Sequence, residues 1–389
     1  MGPGKHALLG PSSAARWLNC TPSARLEEAV PNEGTKYTQE GTLAHALGEL
    51  KLRNYFTVMN KRTFNAQMKK LKADELYSSE MDGHTERYFD FARELALAFP
   101  SQPVLEIEDS LDLSRWVPEG FGTADLVLLS SETLHVVDFK YGQGHAVSAE
   151  RNPQLMLYAL GAYEKYRMFY QPETIRMSVF QPRIREEAGT WEITRTELLQ
   201  WAEEVVKPAA ALAFAGEGEP VPGDHCLFCR VKGQCRACSA PYASAAEDFA
   251  KLDGPKAPAL LSDREIGKAL ALAEPLAAWL ASVKDYALGA VLEGREIPGW
   301  KAVEGRSVRR FTDQDAAFDA LKAHGVAEEI LYERVPLTLA QAEKAVGKAD
   351  FQLFAGAFIE KPRGKPALVP EGDPRPAFSP AAADFQPLA

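Results

Sequence analysis

Asp125, Asp138 and Lys140 are the residues of this chain whose types and spacing could carry out chemistry. Asp138 and Lys140 lie two apart at the end of an apolar run, Leu134–Lys140, so on a strand their side chains leave by one face. A preceding apolar run, Thr123–Leu129, carries Asp125. The polar turn Ser130-Ser131-Glu132-Thr133 between the runs predicts an antiparallel hairpin that sets Asp125 beside the other two. Two carboxylates in an otherwise apolar sheet repel each other unless a cation sits between them. Hard oxygen ligands of this kind suit Mg²⁺ or Mn²⁺. Such an ion polarises a phosphoryl oxygen and lowers the pKa of bound water. Lys140 could orient that water or stabilise developing negative charge. An isolated Asp-x-Lys is also what a strand ending in a solvated ion pair looks like, so the reading depends on what stands around it.

Two further pairs supply that context. His45 and Glu49 are four apart in Gly41-Thr42-Leu43-Ala44-His45-Ala46-Leu47-Gly48-Glu49, and share a face if the segment is helical. A neutral imidazole is a good additional ligand for a divalent ion. Gln154 and Tyr158 repeat the spacing after Lys140. Taken singly, each pair is also an ordinary surface or core arrangement.

Four of the five cysteines fall within thirteen residues, as Cys226-x2-Cys229-x5-Cys235-x2-Cys238, and the fifth is Cys20. In a cytosolic chain such clustering reads as metal binding rather than disulfides. Read locally, the two pairs suggest tetrahedral zinc on Cys226, Cys229, Cys235 and Cys238.

The elements that must position these groups follow from periodicity. Residues 11–30, 41–52 and 62–98 read as helices, the last strongly charged. Residues 103–108 alternate apolar and acidic residues like a strand. The hairpin follows, then a helix over 153–170, a strand pair at 175–181 and 191–194, and a helix over 197–214. A Gly-, Pro- and acid-rich loop at 215–224 leads into the cysteines, and a long helical stretch covers 261–293. Trp300 and the basic group Arg306, Arg309 and Arg310 come next, a composition that suits single-stranded nucleic acid or simply a solvated face. Shorter helices are expected near 313–323 and 338–346, and seven prolines from Pro362 to Pro387 predict a disordered tail.

The balance of 54 Asp+Glu against 44 Lys+Arg gives a formal net charge of −10. That argues against an extended non-specific DNA coat but says little about a local channel. No apolar run approaches a membrane span, and Met1–Leu9 lacks the layout of a signal peptide, so a cytoplasmic location is expected.

The order of motifs, Gly-x-x-x-His-x-x-x-Glu, Gly-x-x-Asp, Asp-x-Lys and Gln-x-x-x-Tyr, resembles the RecB-like branch of the PD-(D/E)XK nuclease superfamily. The CRISPR-associated RecB-type nucleases and the AddB nuclease domain stand near it, and the whole chain looks most like a phage-borne RecB-like group. The resemblance covers roughly residues 8–240 and, more loosely, 255–310. It implies an α/β restriction-endonuclease-like core, a mixed central sheet flanked by helices, over residues 1–245. A mainly helical domain over 255–358 and the tail from 360 onward would follow.

Carried over, the resemblance makes His45, Asp125, Asp138 and the carbonyl of Phe139 ligands of Mg²⁺ or Mn²⁺, and Lys140 the catalytic lysine. Gln154 and Tyr158 become active-site or DNA-positioning residues. Either Glu106 or Glu108 would add an acidic group. Relatives with an iron–sulfur staple place one cysteine before the core and three after it, spaced Cys-x2-Cys-x5-Cys. This implies a [4Fe–4S] cluster on Cys20, Cys226, Cys229 and Cys235, with Cys238 left over. Arg183, in Gln181-Pro182-Arg183, would lie near DNA phosphate. The implied activity is metal-dependent DNA cleavage, exonucleolytic in the first instance, in phage-type recombination, repair or replication. DNA is the implied partner, with a recombination or single-strand-binding protein and self-association as further partners. Two other readings are a non-catalytic nucleic-acid-binding protein on the same fold and a redox or zinc-dependent sensor built on the cysteines.

Overall fold

A computed structural model describes residues 7–31, 34–240, 263–303, 314–324, 327, 331, 339–355 and 358–359. Its centre is one five-stranded sheet: β1 (Val104–Asp112), β2 (Phe121–Leu129), β3 (Thr133–Phe139), β4 (Thr174–Phe180) and β5 (Gly189–Thr194). The spatial order follows the sequence. All neighbours are antiparallel except β3 and β4, which run parallel. A parallel pair needs a crossover, and the helix Pro153–Tyr166 provides it. That helix starts where it does because the Asn152 side chain accepts from the Gln154 and Leu155 amides, while Pro153 fills a position whose N–H has no helical partner.

Helices cover both faces of the sheet. One face packs against Pro153–Tyr166 through Leu134, Val136, Ile175 and Met177 on the strands and Leu155, Ala159 and Ala162 on the helix. The other meets α3 (Lys36–Phe56) and α5 (Ser79–Ala98) through Leu126, Leu128, Val137 and Phe139. Phe139 is wholly buried and stacks on Tyr88 of α5 at 4.6 Å. Its burial contributes roughly 1.5–3 kcal/mol, and Phe139→Ala would add the cost of the cavity.

The helical segments are more divided than periodicity predicts. Residues 11–30 form a 3₁₀ turn (Pro11–Ser13), α1 (Ala14–Asn19) and α2 (Ser23–Glu28). Residues 62–98 split into α4 (Lys61–Lys72) and α5. Asn60 and Ser78 each cap a new helix, accepting from Thr63 N at 2.8 Å and Met81 N at 3.1 Å. The crossover helix, α6, ends at Tyr166 rather than at Tyr170. Beyond β5, α7 (Arg195–Trp201) and α8 (Lys207–Ala215) are joined by a π turn at Ala202–Val206. Pro208 has no N–H to continue the α ladder, and the wider turn absorbs the register change.

The chain divides into two compact units, Met1–Ile297 and Pro298–Ala389. The first includes α9 (Asp263–Leu292), and the second contains α10 (Gln314–Ala323), α11 (Leu339–Val346) and α12 (Lys348–Ala355). Trp300 is exposed. Arg306, Arg309, Arg310 and the proline-rich tail lie outside the described residues. Among the described residues no helix is long and apolar enough to cross a membrane.

One buried polar pair in the sheet sets a pH dependence. His135 on β3 meets Ser178 Oγ on β4 at 2.8 Å. Burial, helped by Arg176, pushes its pKa down to about 3 from an ordinary 6.5. Between those values the unfolded chain binds a proton that the folded one refuses, so stability falls as pH drops from 6.5 toward 3. His135→Gln is expected to remove about 1.4 kcal/mol per pH unit from the slope of unfolding free energy in that window. Denaturant titrations at pH 6.5, 5.5 and 4.5 check it, and an unchanged slope would contradict the assignment.

Candidate functional site

The site is built where β1 and β2 both lose their regular pleat. The pairing register of these strands sets Glu108 opposite Asp125, between the pairs Ile107↔Leu126 and Asp109↔Ala124. Glu108 has φ 52, a left-handed conformation that costs a non-glycine residue roughly 1–3 kcal/mol. The strands change phase there. Ile107 and Leu126 face α3 and α5, whereas Leu111 and Ala124 face α6. Asp109 turns to the α6 side, where it accepts from Lys165 and Tyr166. Glu108 is thereby released from the alternation and joins Asp125. Strict alternation would have kept Glu106 and Glu108 on one face, which is why sequence alone could not choose between them.

His45 comes from α3. Its Nδ1 lies 3.3 Å from Asp125 Oδ1. Ligand atoms of His45, Glu108 and Asp125 all lie within 4.8 Å of one another. Burial, reinforced by Asp125, pushes the Glu108 carboxyl up to about 7. Burial disfavours the His45 cation, but the hydrogen bond and charge of Asp125, with Asp138 and Glu108, outweigh it and raise the pKa. Both shifts express an excess of buried negative charge, the condition that a divalent cation relieves. Two carboxylates and one imidazole form a donor set that Mg²⁺ or Mn²⁺ fits.

Asp125 also fixes the next strand, since its Oδ2 accepts from Phe139 N at 2.7 Å. Asp138 stands beside the acidic group but is bound differently. It is buried, and Lys140 Nζ reaches its Oδ2 at 2.9 Å. Gln154 Nε2 donates to Asp138 Oδ1 at 3.1 Å and to Tyr158 Oη at 3.1 Å, and Lys140 Nζ donates to Gln154 Oε1 at 3.1 Å. Burial raises the Asp138 pKa against the pull of Lys140. The two halves thus adjoin as a His45–Glu108–Asp125 cradle and an Asp138–Lys140–Gln154–Tyr158 network. Gly122 keeps the network close to β2, because a Cβ there would stand 2.7 Å from Pro11 Cγ and 3.1 Å from Tyr158 Cε1.

Three further residues support the site, and of these only Gln181 has no role assigned from the sequence. Glu49 does not join the cradle; it holds Arg53 at 2.6 Å, and Arg53 donates to Ile107 O at 3.0 Å, next to the strained Glu108. Gln181 is buried and donates to Gly142 O (3.0 Å) and His145 O (2.9 Å) while accepting from Val147 N (3.0 Å). It therefore ties down the loop that follows Lys140. Arg183 lies over the Tyr141 ring at 4.7 Å and pairs with Glu40 at 3.4 Å.

The five cysteines line one cavity together with Arg16, Pro220 and His225. Polar clamps hold the start of the chain to the end of α8 and the segment after it. Thr21 donates to Glu217 O at 2.6 Å, Arg25 donates to Phe214 O at 2.8 Å, and buried Glu27 accepts from Arg16 Nε at 2.9 Å and Arg230 N at 2.8 Å. No three of the sulfurs lie within 4.8 Å of one another. Burial pushes the Cys229 and Cys238 thiols up to about 11.

Residues 6–376 match the family described as "Protein of unknown function (DUF2800)". Among solved structures, the crystal structure of SSO0001 is similar at 14% identity and a TM-score of 0.24, over 58% of this chain and 96% of that one. An alkaline exonuclease from Laribacter hongkongensis, LHK-Exo, is similar at 14% identity and a TM-score of 0.23, over 44% of this chain and 91% of that one. The same enzyme in complex with dAMP is similar at 13% identity with the same score and coverage. At such identities and scores these likenesses carry nothing about what the chain does.

Proposed function

The chain belongs to the DUF2800 family, and we propose that it is a divalent-metal-dependent DNA nuclease of the RecB-like PD-(D/E)XK kind. The observation that carries the reading is the convergence of His45, Glu108 and Asp125 within 4.8 Å, beside a buried Asp138 paired to Lys140. His45, Asp125 and Asp138, with Glu108 and the carbonyl of Phe139, are the proposed ligands of Mg²⁺ or Mn²⁺. Such an ion, when bound, polarises a phosphoryl oxygen and makes water more acidic.

The protein's own residues do the rest. Asp138 and Gln154 hold the Lys140 ammonium at a fixed place, where it stabilises charge developing on the phosphoryl group. Gln154 also orients the Tyr158 hydroxyl, and Gln181 keeps the loop after Lys140 from drifting. The phage-type recombination setting, with a DNA-handling partner protein, belongs to the same proposal.

A [4Fe–4S] cluster on Cys20, Cys226, Cys229 and Cys235 is proposed for the second site. Its support is that these four sulfurs, one from the start of the chain and three from the segment after α8, line one cavity.

Incubation of 5′- and 3′-labelled single- and double-stranded DNA with Mg²⁺ or Mn²⁺ tests the activity. Cleavage that stops with EDTA is expected. Glu108→Gln should raise the Mn²⁺ concentration needed for half-maximal cleavage about tenfold or more. DNA binding without degradation in either metal would leave a nucleic-acid-binding protein in place of a nuclease.

A further inference from the structure

We propose that the outward face of α4 is a docking surface for the sugar–phosphate backbone of nucleic acid. Its sequence, KRTFNAQMKKLK, has five cations and no acid, within a chain of net charge −10. Lys61, Arg62, Lys69 and Lys70 are exposed and enter no ion pair among the described residues; only Lys72 is engaged, by Asp82 at 2.7 Å. None of these residues belongs to the metal cradle or to the Lys140 network.

Helix stability accounts for Lys69, Lys70 and Lys72, which lie in the last turn where the dipole favours cations, but not for the other two. Lys61 and Arg62 occupy the first turn, where the helix dipole disfavours cations. Lys69 and Lys72, three apart, repel each other. The cations span about three turns, on the order of 16 Å, which is enough to lie along several phosphates. The opposite face argues against a helix that inserts into a membrane. Met68 and Leu71 pack against the core beneath α3 and α5, so the apolar side of the helix is already used and cannot enter lipid. The choice of nucleic acid among polyanions rests on the nuclease reading.

The test measures binding, not cleavage. Full-length protein in EDTA is titrated into fluorescein-labelled 30-nucleotide single-stranded and duplex DNA over a range of salt concentrations. Lys61→Gln/Arg62→Gln/Lys69→Gln/Lys70→Gln keeps helix-forming side chains, and circular dichroism checks the fold. The quadruple variant is expected to bind at least tenfold more weakly at low salt. Its log–log salt slope should be shallower by roughly three, since each of the four phosphates neutralised contributes about 0.7–0.9. The Lys61/Arg62 and Lys69/Lys70 double variants should each show about half of that change, which keeps the test usable if the quadruple variant misfolds. Equal affinity and slope in parent and variants would overturn the docking surface, as would parent protein that binds phosphatidylserine vesicles but not DNA. A parent that binds through α4 yet never cleaves would remove the nuclease assignment and keep this one. A parent that cleaves while the α4 variants bind normally would do the reverse.

Discussion

Lys140→Ala is expected to lower DNA cleavage about a thousandfold while the protein remains folded. The ammonium is held from two sides, by Asp138 at 2.9 Å and Gln154 at 3.1 Å, so its position does not need to be established during the reaction. The same substitution has a structural cost that must be separated from the chemical one. It leaves Asp138, only 3% exposed, without its counter-ion. Breaking a buried pair from one side costs about 3–5 kcal/mol, and in a unit of this size that lowers the melting temperature by roughly 10 °C. Asp138 can limit the loss by taking up a proton, since burial already raises its pKa. A double variant, Asp138→Asn with Lys140→Met, removes both charges and should recover much of the melting temperature. It should recover none of the activity. A Lys140→Ala protein that cleaves at the parental rate, or a double variant that regains cleavage together with stability, would show that Lys140 only balances a buried charge.

What sequence could and could not supply is clearest at this pair. Asp138 and Lys140 are two apart on a strand, and period-two geometry alone put them on one face. The hairpin then placed Asp125 against the following strand, where it accepts from Phe139 N. His45 was legible because helical spacing marked its segment, although the side chain that shares its face, Glu49, turned out to support Arg53 instead. Glu108 was legible only as one of two candidates, beside Glu106. Its place in the cradle depends on a left-handed backbone at one residue, and no composition signal marks a glutamate for that conformation. Gln181 escaped for a related reason: it acts on the backbone of a loop some forty residues earlier, a relation that only the parallel β3–β4 pairing creates. Local periodicity reports which face a side chain leaves by. It does not report where a strand loses its phase, and the cradle is assembled at such a place.

The second large effect is expected from the cysteines. Protein purified without oxygen should be brown, and Cys226→Ser or Cys20→Ser should be colourless and less stable by on the order of 5 kcal/mol. That magnitude follows from the loop being closed: a link from Cys20 to Cys226 spans roughly two hundred residues and brackets the whole sheet. The clamps made by Thr21, Arg25 and Glu27 join the same two segments. Ordinary hydrogen bonds contribute about 1 kcal/mol each, so they orient the two segments without replacing the link. Cys238 separates the two metals. It lines the cavity with the others, and a [4Fe–4S] cluster on the remaining four leaves it free, so Cys238→Ser should keep both colour and stability. Zinc on Cys226, Cys229, Cys235 and Cys238 predicts the opposite pattern: Cys20→Ser would be silent and Cys238→Ser damaging. Metal analysis of the two serine variants beside their melting temperatures decides between these outcomes. Parental stability in all of the variants, with neither iron nor zinc present, would remove the metal from the staple and leave the polar clamps to hold the two ends of the fold together.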